Sequence, residues 1–236
     1  ELVLKVDEHT GINEIHLDPR NPSLMYATAH QRRRHVFTYV GGGPGSQIYK
    51  STDGGENWKK LKRGLPSSIK GRIGMDISPA NPDMLYALVE AEMDKQGLYK
   101  STDRGESWSI ISPDLTTNDT TKQKQHESGG LTMDATGAEN YTTILAIEPS
   151  PVEENVIWVG TDDGNIQVTT DGGENWTNTA NNLKDIPQGS YVAQVKASAF
   201  NAGEAVAVIN NYRRGDWTPY VVHTTNYGKK WTNIVE

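Results

Sequence analysis

Ser51-Thr52-Asp53-Gly54-Gly55-Glu56-Asn57-Trp58 is the stretch on which the reading of this chain turns. It returns as Ser101-Thr102-Asp103-Arg104-Gly105-Glu106-Ser107-Trp108 and as Thr169-Thr170-Asp171-Gly172-Gly173-Glu174-Asn175-Trp176. A looser fourth copy is Thr224-Thr225-Asn226-Tyr227-Gly228-Lys229-Lys230-Trp231. Successive copies lie 50, 68 and 55 residues apart, a spacing that marks a repeat architecture. A second element precedes them: Asp18-Pro19-Arg20-Asn21-Pro22 is echoed by Ser78-Pro79-Ala80-Asn81-Pro82, and more loosely by Glu148-Pro149-Ser150-Pro151.

Each repeat reads as four short strands, a to d. In the second, residues 73–77 are strand a, 79–83 turn, 84–89 are strand b, 97–100 strand c and 108–111 strand d. Strand a of the first repeat is expected over 12–17. Residues 1–6 read as a further strand d without a box of its own. In the box, a carboxylate or amide at Asp53, Asp103, Asp171 and Asn226 can accept backbone N–H bonds across the c–d turn. Gly55, Gly105, Gly173 and Gly228 are expected at positive φ. Trp58, Trp108, Trp176 and Trp231 then start strand d and cover the gap between neighbouring sheets. A turn clamp at every repeat cannot be one active site, so these residues read as structural.

This box resembles the Asp-box, or bacterial neuraminidase repeat, of sialidases, xyloglucanases and the sortilin ectodomain. The resemblance implies an all-β Asp-box β-propeller with about four four-stranded blades visible. Five further stretches are more specific: 43–50, 71–74, 111–116, 137–144 and 157–164. Together they resemble a large bacterial family of exported, sortilin-like propellers often labelled glycosyl hydrolases. That resemblance implies a secreted, periplasmic or cell-surface protein, part of a propeller of seven or more blades. In the family pattern the segments like 1–108 and 101–236 are separated by further blades, whereas here they meet near Trp108. The expected organisation is two blades and an orphan strand over 1–112, a polar inter-blade loop over 113–140, and two further blades over 141–236.

Composition limits the chemistry. A net charge of −7 argues against a nucleic-acid partner, which needs a basic face for phosphates. There is no cysteine, and no apolar run is long enough for a transmembrane segment. No histidine pair has metal-ligand spacing and no Gly-rich loop opens a helix, so no metal or cofactor is expected.

Strand direction places all the boxes at one end of the blades, with the a–b turns. The longer b–c and d–a loops fall at the other end, where binding residues are expected. There the candidate ligand-binding residues are Arg32, Arg33 and Arg34, then Arg72, Tyr141, Arg213, Arg214 and Trp217. Arginine grips carboxylates bidentately, and exposed Trp beside Arg anchors interfaces. Glu139, Asp162 and Asp163 are weak candidates for a glycosidase carboxylate pair, although 162–164 also fits a plain tight turn. No three-blade arginine set of the sialidase kind can be assembled. The leading expectation is a binding module for a protein, peptide or glycan. The alternatives are a glycoside hydrolase and a structural subunit of a surface assembly.

Overall fold

A computed structural model describes residues 2–36, 39–92, 94–123 and 141–235. The chain divides into two compact units, Glu1–Ser112 and Pro113–Glu236. In the first, β1 (Thr10–Asp18) and β2 (Asn21–Gln31) form a hairpin. A separate ribbon of β3 (Arg33–Arg34) and β4 (Tyr39–Val40) follows, then β5 (Gln47–Ser51) and β6 (Lys59–Leu61). The sheet order is β1-β2-β5-β6, antiparallel throughout. The second sheet is β7 (Ile73–Ile77), β8 (Leu85–Val89), β9 (Gly97–Ser101) and β10 (Ser109–Ile110), neighbours in that order.

The second unit repeats the plan. Its sheets are β11 (Ile144–Pro149), β12 (Ile157–Thr161), β13 (Ile166–Thr169) and β14 (Thr177–Asn178), then β15 (Tyr191–Ala197), β16 (Ala205–Asn211), β17 (Asp216–Thr224) and β18 (Thr232–Asn233). These are the four a–b–c–d blades read from the repeat. Residues on both sides of Trp108 complete the second blade: Ser109 pairs with Lys100, and the Ile111 N–H bonds the Leu98 carbonyl at 2.8 Å. One expectation fails. Residues 2–6 form no strand, and Leu2 is 73% exposed. A further strand d needs a strand c with a free outer edge, and in this unit β5 and β9 already hold β6 and β10.

The box chemistry is the same at each copy. The Asp53 carboxylate accepts the Asn57 backbone N–H at 2.9 Å and the Ser51 hydroxyl at 2.8 Å, while Ser51 Oγ accepts the Gly55 N–H at 2.9 Å. Asp103 and Asp171 repeat these bonds with Ser107 and Asn175. Asn226 Oδ1 takes the Lys230 N–H at 2.9 Å, so an amide serves as well. Two successive residues of each turn are left-handed: Gly54 and Gly55, Arg104 and Gly105, Gly172 and Gly173, Tyr227 and Gly228. The first of each pair donates its N–H to a carbonyl in or just after the a–b turn, of Ser23, Asp83, Asn155 and Gly203 respectively. That bond ties together the a–b and c–d turns, which strand direction has already put at the same end of every blade.

Between the sheets of the first unit, Tyr26, Ile48 and Leu61 meet Ile73, Met75, Leu85 and Trp108 in one buried cluster. Each fully buried Leu or Ile contributes about 1.5–3 kcal/mol. The Tyr26 hydroxyl donates to the Arg104 carbonyl at 3.2 Å, and Glu14 Oε2 accepts the Met75 N–H at 2.9 Å. A Cβ on Gly105 would lie 2.8 Å from Leu61 Cδ1, so glycine lets the box approach its neighbour. In the second unit Trp158 and Trp231 meet edge to face at 5.9 Å among Ile166, Val192 and Val195. Trp58 and Trp108 give their indole N–H to Gly55 and Gly105 carbonyls. Trp231 gives its own to Thr179 Oγ1 at 3.2 Å instead.

Candidate binding site

The ends of the blades away from the boxes are where the sequence-predicted residues fall. In the second unit the turn between β12 and β13 carries Asp162 and Asp163, both buried. The tight-turn expectation holds, and both carboxylates are put to use. Asp163 accepts the Thr117 N–H at 2.6 Å and the Thr117 hydroxyl at 2.7 Å, and also the Thr161 hydroxyl. Asn165 Nδ2 and Gln167 Nε2 both donate to the Leu115 carbonyl at 3.0 Å, and Leu115 is buried. Asp163 is therefore a clamp that seats the stretch after Pro113, with three donors on its oxygens.

Asp162 is different. Its Oδ1 accepts the Thr143 N–H at 2.7 Å, and its own N–H donates to the Thr143 carbonyl at 3.0 Å. Burial pushes its carboxyl up to about 6; the Thr143 N–H works against this, the Asp163 charge adds to it, and the Arg213 guanidinium draws it down. It exchanges its proton closer to neutrality than an ordinary aspartate. Two residues before Thr143, the half-buried Tyr141 ring lies under Lys122, whose Nζ is 5.2 Å from the ring centre.

The turn between β16 and β17 supplies the rest. Arg213 sits 5.0 Å from the Tyr191 ring centre and 5.8 Å from that of Tyr212. Trp217 is 80% exposed, its ring 6.2 Å from Tyr212. Asp216 fixes this tip by accepting the Thr218 N–H at 3.0 Å, the Tyr220 hydroxyl at 2.8 Å and Asn211 Nδ2 at 3.2 Å. Those bonds hold its carboxyl down at about 2. Arg214 is spent on structure: it donates to the Gln188 carbonyl at 2.7 Å and the Gly189 carbonyl at 3.1 Å. Arg213, Trp217 and Asp162 are thus gathered in one unit, while Arg214 braces the tip. Tyr191 and Tyr212 were missed in the sequence, although Tyr212 adjoins Arg213 and the β15–β16 register places Tyr191 opposite Asn210.

In the first unit, Arg32, Arg33 and Arg34 are exposed on and beside the β3–β4 ribbon. Arg72 is exposed at the start of β7, its backbone N–H bonded to Glu90 Oε2 at 2.8 Å. Glu139 lies outside the described residues. Among the described residues no group of three or more His, Cys, Asp or Glu side chains is arranged to hold a metal ion, and no helix is long and apolar enough to cross a membrane.

The BNR/Asp-box repeat family model matches residues 49–60, the first box. Among solved structures, an ancestral GH74 enzyme matches with a TM-score of 0.62 and 16% identity, over 96% of this chain and 28% of its own. The GH74 xyloglucanase from Xanthomonas campestris matches with a TM-score of 0.51 and 14% identity, over 95% of this chain and 38% of its own. Both are β-propellers. The first box is thus a BNR/Asp-box repeat, and the blades have the β-propeller fold of these two structures. No curated protein sequence matches it significantly. In this Asp-box propeller chain the boxes are accounted for as turn clamps, and the opposite blade ends hold the side chains that no clamp explains.

Proposed function

We propose that this chain is a β-propeller binding module whose ligand, a peptide, protein or glycan, docks on the tip formed by Tyr191, Tyr212, Arg213 and Trp217. The observation that carries this reading is Trp217. An indole 80% exposed, stacked beside Tyr212 and next to Arg213 on a tip fixed by the Asp216 bonds, offers the aromatic-plus-arginine surface on which interfaces anchor. Aromatic faces with a guanidinium between them suit a ring or planar group on a ligand, with cation–π and stacking contributions of about 0.5–2 kcal/mol each. The test is binding to an array of peptides and glycans that includes xyloglucan oligosaccharides. Trp217→Ala and Arg213→Ala should each remove the ligand without changing the unfolding midpoint. Unchanged binding by both variants would remove the tip from the account.

A second reading rests on Asp162. A buried carboxyl raised to about 6 is the form a general acid takes in glycoside hydrolysis. Its opposite carboxylate would have to be a residue other than Asp163, whose oxygens hold Thr117 and Thr161. Turnover of xyloglucan that is lost in Asp162→Asn would favour the enzyme. No turnover, with binding retained in that variant, would favour the module.

A further inference from the structure

On an acidic chain of net charge −7, three consecutive arginines on one small ribbon are a local excess of positive charge. The pairing of β3 with β4 puts Arg33 opposite Val40 and Arg34 opposite Tyr39. The Arg32 guanidinium lies 5.7 Å from the centre of the same Tyr39 ring. Side chains alternate between the faces of a ribbon. One face therefore presents Arg32, Tyr39 and Arg34, and Arg33 points to the other. Arg33 is already engaged: its Nη1 lies 2.5 Å from His9 Nε2, and His9 is 3.0 Å from Glu8.

Arg32 and Arg34 have no carboxylate partner among the described residues. Arg20 and Arg104, by contrast, are bound to Asp18 and Asp83 at the box end of the same unit. The ribbon is also held at its base. The Arg32 N–H bonds the His9 carbonyl at 3.0 Å, the His30 ring meets the Gly41 carbonyl at 3.1 Å, and the Gly43 N–H bonds the Lys70 carbonyl at 3.0 Å.

We propose that the Arg32–Tyr39–Arg34 face binds an extended acidic peptide whose carboxylates stand at alternate residues. Positions two apart on a strand are about 6.7 Å apart, and an extended ligand has the same repeat. Two carboxylates at that spacing meet two guanidiniums, each able to donate a bidentate pair of hydrogen bonds to a carboxylate. The Tyr39 ring, opposite Arg34 and beside the Arg32 guanidinium, adds an apolar surface on the same face. Among the described residues β3 and β4 pair only with each other, and with the chain beside β3 taken up by His9 it is the outer edge of β4 that an extended strand can add to. A polysaccharide has no peptide groups for that edge. This surface lies in the first unit and does not depend on the Trp217 tip.

The experiment is fluorescence anisotropy on the whole protein with two labelled peptides of equal composition, one alternating Glu and Thr and one with its Glu residues in a block. The alternating peptide should bind about tenfold tighter, a difference of about 1.4 kcal/mol. The Arg32→Ala/Arg34→Ala double variant should lose that binding and its salt dependence with an unchanged unfolding midpoint. Arg33→Ala and Trp217→Ala should leave it intact. Equal affinity for the two peptides would overturn the proposal, as would equal loss in Arg33→Ala. Loss in Trp217→Ala would move the peptide to the other unit and overturn it too. Displacement by oligogalacturonate at lower concentration than by unlabelled peptide would replace the peptide with an acidic glycan.

Discussion

The two ends of each blade are built on different rules. At the box end the same bonds recur four times: a side-chain oxygen across the c–d turn, a hydroxyl beneath it, and one N–H tied to the a–b turn. At the other end no two blades agree. One carries an arginine ribbon, another a pair of buried aspartates, another a tyrosine–arginine–tryptophan tip. Repetition at one end frees the other to vary, because the fold is already secured where the turns are clamped. Side chains unexplained by folding therefore collect at the varied end.

The largest expected break of this contrast is at the box tryptophans that join sheets. Trp231→Ala should destabilise the second unit by about 3–5 kcal/mol, read by urea unfolding. A loss below about 1 kcal/mol would mean that the edge-to-face pair with Trp158 does not hold the two sheets together. Next come two glycines of similar conformation and different surroundings. Gly105→Ala should cost about 2–4 kcal/mol, from the left-handed backbone and the 2.8 Å approach to Leu61. Gly54→Ala, with nothing near its Cβ, should cost only the backbone part of about 1–2 kcal/mol. Equal costs would show that close packing of box on sheet is not the reason for glycine.

Acid sensitivity gives a smaller effect of opposite sign at the two ends. Backbone and side-chain bonds from Asn57 and Asn175 hold the Asp53 and Asp171 carboxyls at about 2, below the ordinary 3.8. Their contribution is complete above 3.8 and is lost as pH falls through about 2. Asp53→Asn and Asp171→Asn should flatten that acid loss while keeping the turn, as Asn226 does at the fourth box. Asp162, raised to about 6, works the other way: its contribution is complete below 3.8 and is lost as pH rises through about 6. Asp162→Asn should raise the thermal midpoint at pH 7.5 slightly and leave it unchanged at pH 3.5.

The box end was legible in the sequence because identical geometry demands identical residues. Strand β7 ran over 73–77 as read, and Gly55, Gly105, Gly173 and Gly228 all take positive φ. Arg104 and Tyr227 take it as well, at 57°, and the looser copies concealed that. The strand expected over 1–6 failed because its apolar alternation says nothing of whether an edge is open to receive it. At the varied end, single residues gave little warning of their partners. Asp163 was visible as a turn residue. Its bonds to Thr117 join positions 46 apart through a polar tract with no periodic signal. Arg214 looked like Arg213, and its bonds to the carbonyls of Gln188 and Gly189 left no trace in the sequence.

The most direct test compares one substitution at each end in the same two assays, unfolding and array binding. Trp217→Ala should lose the ligand with stability unchanged to within about 0.5 kcal/mol. Asp103→Ala, which removes the bonds to Ser101 and Ser107, should lower stability and keep the ligand. A ligand lost with the box and kept without Trp217 would contradict the division of labour between the two ends.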